Sequence, residues 1–193
     1  MPKRILGMNG EPFQNYDLSK FKTVGEDVVV DPTVQIKHPA EVSLGSHVAI
    51  DFGFYLTTRA NIGDFIHIGP YVSAIGGLVA NLELQDLTSV AAGVRFICLG
   101  SEHGSEGIVG ALIPSPYKDK LIGGEIVIEK FAAIGTNAVL MPGVRMGEGS
   151  VLGANSLLRN DAEPWTVYAG SPAVPIKKRD NVNILNYAKE MGY

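Results

Sequence analysis

Aliphatic residues recur along this chain at every sixth position. One series runs Val24, Val30, Ile36, then Leu44, Ile50, Leu56, Ile62, Ile68, Ala74, then Leu84, Val90 and Phe96. A second runs Ile128, Ile134, Leu140, Met146, Leu152 and Leu158. Four positions after the aliphatic residue stands another, usually small or β-branched: Val28, Val34, Ala40, Val48, Phe54, Ala60, Ile66 and Val72, and later Ala132, Ala138, Val144, Ser150 and Ser156. Glycine often follows the aliphatic position directly, as in Leu44-Gly45, Ile62-Gly63 and Ile134-Gly135. A period of six fits neither the 3.6 of a helix nor the 2 of one long strand. It fits a coil of three short strands with a turn after each, about 18 residues per coil.

The spacing therefore predicts an all-β fold, a parallel β-helix of about six coils, four over residues 24–101 and two over 128–163. The aliphatic residue and its partner four positions on both point into the prism, and glycine gives the corners backbone freedom. The end coils leave strand edges that need covers. Residues 1–23 are read as an N-terminal cap, 24–173 as the β-helix domain and 174–193 as a C-terminal extension. Within that extension, 179–190 read as a short helix, reached through an extended segment marked by Pro164, Pro172 and Pro175.

Composition narrows the function. The formal net charge is -4, which gives no electrostatic footprint for nucleic acid. The single cysteine, Cys98, supports neither an intrachain disulfide nor a cysteine-based metal site. No apolar run approaches the ~18 residues of a membrane span, and the N-terminal apolar stretch is too short for a signal peptide. A cytoplasmic location is the expectation.

The repeat breaks twice. Four extra residues lie between Ala74 and Leu84, around Gly76-Gly77. A longer break begins near Ser101 and reads SEHGSEGIVGALIPSPYKDKLIGG. Its two prolines and five glycines rule out regular structure through it, and a loop this long in a compact domain is usually functional. We read 101–127 as an active-site loop. It carries His103 beside Glu102, with Ser105 and Tyr117 as candidate acceptor contacts and Arg95 as another outside the loop. His38, His47 and His67 fall at unlike positions of their hexads and are read as solvated surface imidazoles. No nucleophile elbow, phosphate loop or HExxH motif is present.

The hexads, the inserted histidine loop and the ending YAGSPAVPIKK resemble the hexapeptide acyltransferases, in particular the maltose and galactoside O-acetyltransferases and related enzymes of surface-polysaccharide synthesis. The most specific segment is FAAIGTNAVLMPGVRMGEGSVLGANSLLRNDAEPWTVYAGSPA. The resemblance implies a left-handed β-helix, a homotrimer with sites between subunits, and acetyl-CoA as co-substrate with no metal. It implies His103 as the general base. Ala133, Thr136 and Ala154 then line the pantetheine arm, with Arg159, Lys177 and Lys178 near the coenzyme A phosphates. Val174 stands where relatives often have arginine. The implied reaction is acetyl transfer to a hydroxyl of a sugar or polysaccharide precursor. A thioester is already activated, so the enzyme needs a proton acceptor rather than a nucleophile, and imidazole titrates in the useful range. The alternative within this chemistry is N-acetylation of a nucleotide-linked amino sugar. Two other readings differ in class. A zinc lyase of the γ-carbonic anhydrase type needs three converging histidines, and a non-catalytic scaffold would not bind coenzyme A.

Overall fold

The computed structural model of the chain describes residues 15–104 and 106–193. The hexad residues stack into three in-register columns, one per face of a triangular prism. On the first face Val24, Leu44, Ile62, Leu84, Ile128 and Met146 lie side by side. On the second, Val30, Ile50, Ile68, Val90, Ile134 and Leu152 do. On the third, Ile36, Leu56, Ala74, Phe96, Leu140 and Leu158 do. Within these six coils all neighbouring strands pair in parallel, and this parallel β-helix buries nearly every one of those side chains. Six full coils are followed by a partial seventh: Thr166–Ala169 adds a parallel strand to the second face, with Tyr168 beside Leu152.

The residues four positions on are also interior, with one correction. Ala40 is exposed, because a 3₁₀ turn at Pro39–Glu41 adds two residues to that corner. Val42 takes the interior place beside Ala60. The same occurs after Ala74, where Gly77–Val79 bulges and Leu82 fills the column. Every departure from six lies at this one edge, where the third face turns into the first. The other two edges keep six residues in all six coils, so the prism is regular except along a single seam.

The corners also differ from the expectation. The glycines that follow the aliphatic residue do not use left-handed backbone. They are small because the next coil leaves no room: a Cβ on Gly135 would lie 2.5 Å from the backbone nitrogen of Ala154. The left-handed residue comes two positions later and is usually not glycine: Asp27, His47, Phe65, Leu87 and Phe131 on one edge, Tyr71, Asn137 and Asn155 on the next. Such conformations cost on the order of 1 kcal/mol each. From the second coil on, each N–H at these positions donates to a carbonyl of the coil before, as in His47 to Glu26, Phe65 to Ser46 and Leu87 to Asp64, and the repeated ladder offsets the strain.

The N-terminal cap assigned to 1–23 falls largely outside the described residues. Of the remainder, Asn15 accepts the Val30 N–H and donates to the Val28 carbonyl, pairing the open edge of the Val29–Val30 strand. At the other end the segment Val174–Lys178 folds back antiparallel on Thr166–Ala169 and covers that edge. The helix α1 (Val182–Glu190) covers no end. It lies along the side of the prism, with Ala188 buried and Tyr187 and Met191 facing Leu87 and Phe131. Among the described residues no helix is long and apolar enough to cross a membrane.

Candidate active site

The long insertion projects from the seam between coils four and five. It is more ordered than its prolines and glycines suggest. Leu99–Ser101 pairs antiparallel with Leu121–Gly123 to form the base of an arm. Above it the Glu102 N–H donates to the Lys120 carbonyl, Ile108 bridges to Lys118, and Ser115–Tyr117 makes one 3₁₀ turn.

Between the arm base and the seam lies a groove of about 330 Å³. Ile97, Ile122, Met141 and Pro142 give it an apolar floor and wall. Glu102, His103 and Arg159 stand at its polar side. One histidine, one carboxylate and one guanidinium thus meet over an apolar channel, the combination that a proton acceptor, a polar acceptor molecule and an anionic thioester carrier together require.

His103 is exposed, in left-handed backbone with φ +58°. Its backbone N–H donates to the Asp119 Oδ2 at 3.0 Å. Asp119 was not singled out in the sequence, where it is one acid between two lysines. It is 3% exposed, and its Oδ1 has no hydrogen-bond partner among the described residues. Nothing in its spacing marks it; only the tertiary closure of the arm buries it.

The other expected site residues are dispersed. Ala133 faces outward from the second face and is half-buried. Thr136 and Ala154 are exposed on the edge between second and third faces, in successive coils, where the Asn155 N–H donates to the Thr136 carbonyl. They and His103 therefore occupy opposite edges of the third face within one chain. Lys178 is engaged by Glu163 at 2.9 Å and Thr166 at 2.8 Å, and Lys177 lies exposed beside it, away from the groove. Tyr117 is exposed on the arm outside the groove, and Ser105 lies outside the described residues. Arg95 is spent on backbone, donating to the carbonyls of Tyr71 and Gly93. His38, His47 and His67 are on the surface; His47 and His67 sit 3.2 and 2.9 Å from Asp27 and Asp51. Among the described residues no three His, Cys, Asp or Glu side chains converge as a zinc site requires.

No protein-family model matches the chain. It is 30% identical over 162 residues to the dTDP-4-amino-4,6-dideoxy-D-glucose acyltransferase of Escherichia coli, covering 82% of this chain and 83% of that one. Its structure is similar to that of AntD, an N-acyltransferase from Bacillus cereus solved with dTDP and 3-hydroxybutyryl-CoA. The TM-score is 0.84 and the identity 28%, over 91% of this chain and 94% of the other. A galactoside acetyltransferase in complex with coenzyme A matches at a TM-score of 0.55 and 22% identity, over 85% and 68% of the two chains, a likeness of fold.

Proposed function

The chain belongs to the hexapeptide-repeat acyltransferases, and on that premise we propose that it moves an acyl group from coenzyme A to the amine of a nucleotide-linked amino sugar. The observation that carries the choice of acceptor is the extent of the likeness. The match to the B. cereus N-acyltransferase runs over nine-tenths of both chains at a TM-score of 0.84, whereas the galactoside enzyme matches at 0.55. The hydroxyl acceptor expected from the sequence thus becomes the second reading, favoured by the exposed His103 at the groove, since a hydroxyl needs a base more than an amine does.

In this reading His103 is the general base. The acceptor nitrogen attacks the thioester carbonyl, the C–N bond forms, and His103 takes the proton that the nitrogen sheds. The C–S bond then breaks, and the imidazolium returns the proton to the departing thiolate. The apolar wall of Ile97, Ile122 and Met141 keeps water from competing for the thioester, and Arg159 meets the anionic carrier or the acceptor diphosphate. Thr136 and Ala154, at the far edge of the third face, serve a coenzyme held between two copies of the chain in a homotrimer.

The test is thiol release from acetyl-CoA, with product mass, in the presence of dTDP-4-amino-4,6-dideoxyglucose, of a dTDP-sugar bearing a hydroxyl at the same carbon, and of a galactoside. Release and one added acetyl on the amino sugar alone is the expected result. Transfer to the hydroxyl sugars and not to the amine returns the acceptor to the second reading. No release with any of them, together with no acetyl-CoA binding at millimolar ligand, overturns acyl transfer.

A further inference from the structure

The imidazole of His103 makes no hydrogen bond among the described residues; the residue is held at the groove by its backbone. That backbone is left-handed, which costs a non-glycine residue on the order of 1 kcal/mol and persists only where the surroundings impose it. The surroundings here are Asp119. Its Oδ2 accepts the His103 N–H at 3.0 Å.

Asp119 is itself fixed. Its N–H donates to the Ile108 carbonyl, and the Ile108 N–H donates to the Tyr117 carbonyl. Gly107 packs so closely on the Asp119 backbone that a Cβ there has no space. His103 on one side and Gly107 with Ile108 on the other therefore close around a buried carboxylate, one oxygen of which has no partner among the described residues. Burying a carboxylate with an unsatisfied oxygen is unfavourable for folding. An apolar side chain of similar size would fill the space at less cost, but it would leave the His103 N–H without an acceptor.

We propose that Asp119 is the positioning residue for His103: its buried carboxylate fixes the left-handed turn that presents the imidazole to the groove. The proposal rests on the reading of His103 as the base, and acts through it, since Asp119 itself reaches neither substrate nor groove.

The experiment compares Asp119→Ala and Asp119→Asn in the full chain by two readouts. One is the ring signal of His103 in a proton–nitrogen NMR spectrum, assigned by its loss in His103→Gln. The other is kcat and KM for thiol release from acetyl-CoA with the amino-sugar acceptor. Asp119→Ala is expected to shift the His103 signal while those of His38, His47 and His67 stay in place. It should lower kcat at least about tenfold, the scale of a base misplaced by a fraction of an ångström, with KM for acetyl-CoA little changed. Asp119→Asn keeps an acceptor oxygen and restores both. On the His103→Gln background, Asp119→Ala causes no further loss. An unmoved His103 signal in folded Asp119→Ala, or losses that multiply in the double variant, overturn the proposal. If His103→Gln alone keeps full kcat, the base reading falls, while the NMR shift still decides whether Asp119 positions the residue. Should Asp119→Ala not fold, Asp119→Glu displaces the same acceptor and is judged by the same two readouts.

Discussion

The phenol of Tyr193 donates to the Asp64 carboxylate at 2.9 Å, tying the C-terminal helix to the third coil across 129 positions of sequence. The ring meets Phe65 edge-on at 5.5 Å and lies 5.9 Å from the Lys130 ammonium. Desolvation first, then the bond to Asp64 and the negative charge of Asp64 and Asp86, hold the phenol above its ordinary pKa. A raised folded pKa contributes stability that is complete below the unfolded value of about 10 and is lost as pH rises through the folded one. Tyr193→Phe should therefore lower Tm at pH 7 and abolish the part of the alkaline destabilisation that belongs to this group. A pH series of thermal melts, wild type against variant, checks this; a constant gap below about pH 10 that closes as pH rises further is the expected form.

Two kinds of glycine predict two kinds of damage. Gly135→Ala drives a methyl into the backbone of Ala154 in the next coil and should cost about 1–3 kcal/mol or more, as overpacking does. Gly143 has φ +81° and open space around it, so Gly143→Ala meets only backbone strain, about 1–2 kcal/mol. Urea melts of the two variants separate the causes: replacing Gly143 by Asn, which tolerates left-handed backbone, should recover most of the loss, whereas Gly135→Asn should be worse than Gly135→Ala.

The prism was legible because its physics is periodic. Each hexad residue faces the same environment as the one a coil away, so Ile62, Ile68 and their equivalents carry the register in their spacing. Ala40 misled for the same reason that Leu82 was invisible: residues inserted at the seam shift the inward position by two or four without leaving a pattern. The arm resisted reading because Leu99–Ser101 and Leu121–Gly123 find each other across nineteen intervening residues, with too few alternating positions to announce a strand. His103 was findable as a histidine at a break in the repeat. Asp119 was not, because a carboxylate buried against a backbone N–H has no signature in sequence; between two lysines it looks like part of a solvated charge run.

Burial pushes the Cys98 thiol up to about 12. The thiol therefore stays protonated at neutral and mildly alkaline pH, and the side chain is fully enclosed in the prism. Alkylation by iodoacetamide should accordingly proceed at the rate of unfolding and not at that of a free thiol. Mass spectrometry across a urea titration should show modification rising with the unfolding transition. Rapid labelling in the absence of denaturant would mean that the fourth coil, beside the arm, opens on its own.

Of the basic residues assigned to the coenzyme, only Arg159 lines the groove, and it makes no ion pair among the described residues. Lys178 is occupied by Glu163 and Thr166 on the edge strand. An unpaired guanidinium at the rim should contribute to binding an anionic ligand in proportion to how little salt screens it. Arg159→Ala is expected to raise KM for acetyl-CoA about three- to tenfold, the range of an exposed charge contact, and the ratio should shrink as ionic strength rises. Lys178→Ala should leave KM within about twofold, since the exposed ion pair it loses is worth about 1 kcal/mol or less to the fold and nothing to the groove. Steady-state kinetics at low and high salt distinguish the two. If Lys178→Ala and not Arg159→Ala carries the salt-dependent loss, the phosphates of the coenzyme run along the C-terminal strand, and the groove beside His103 receives the acceptor alone.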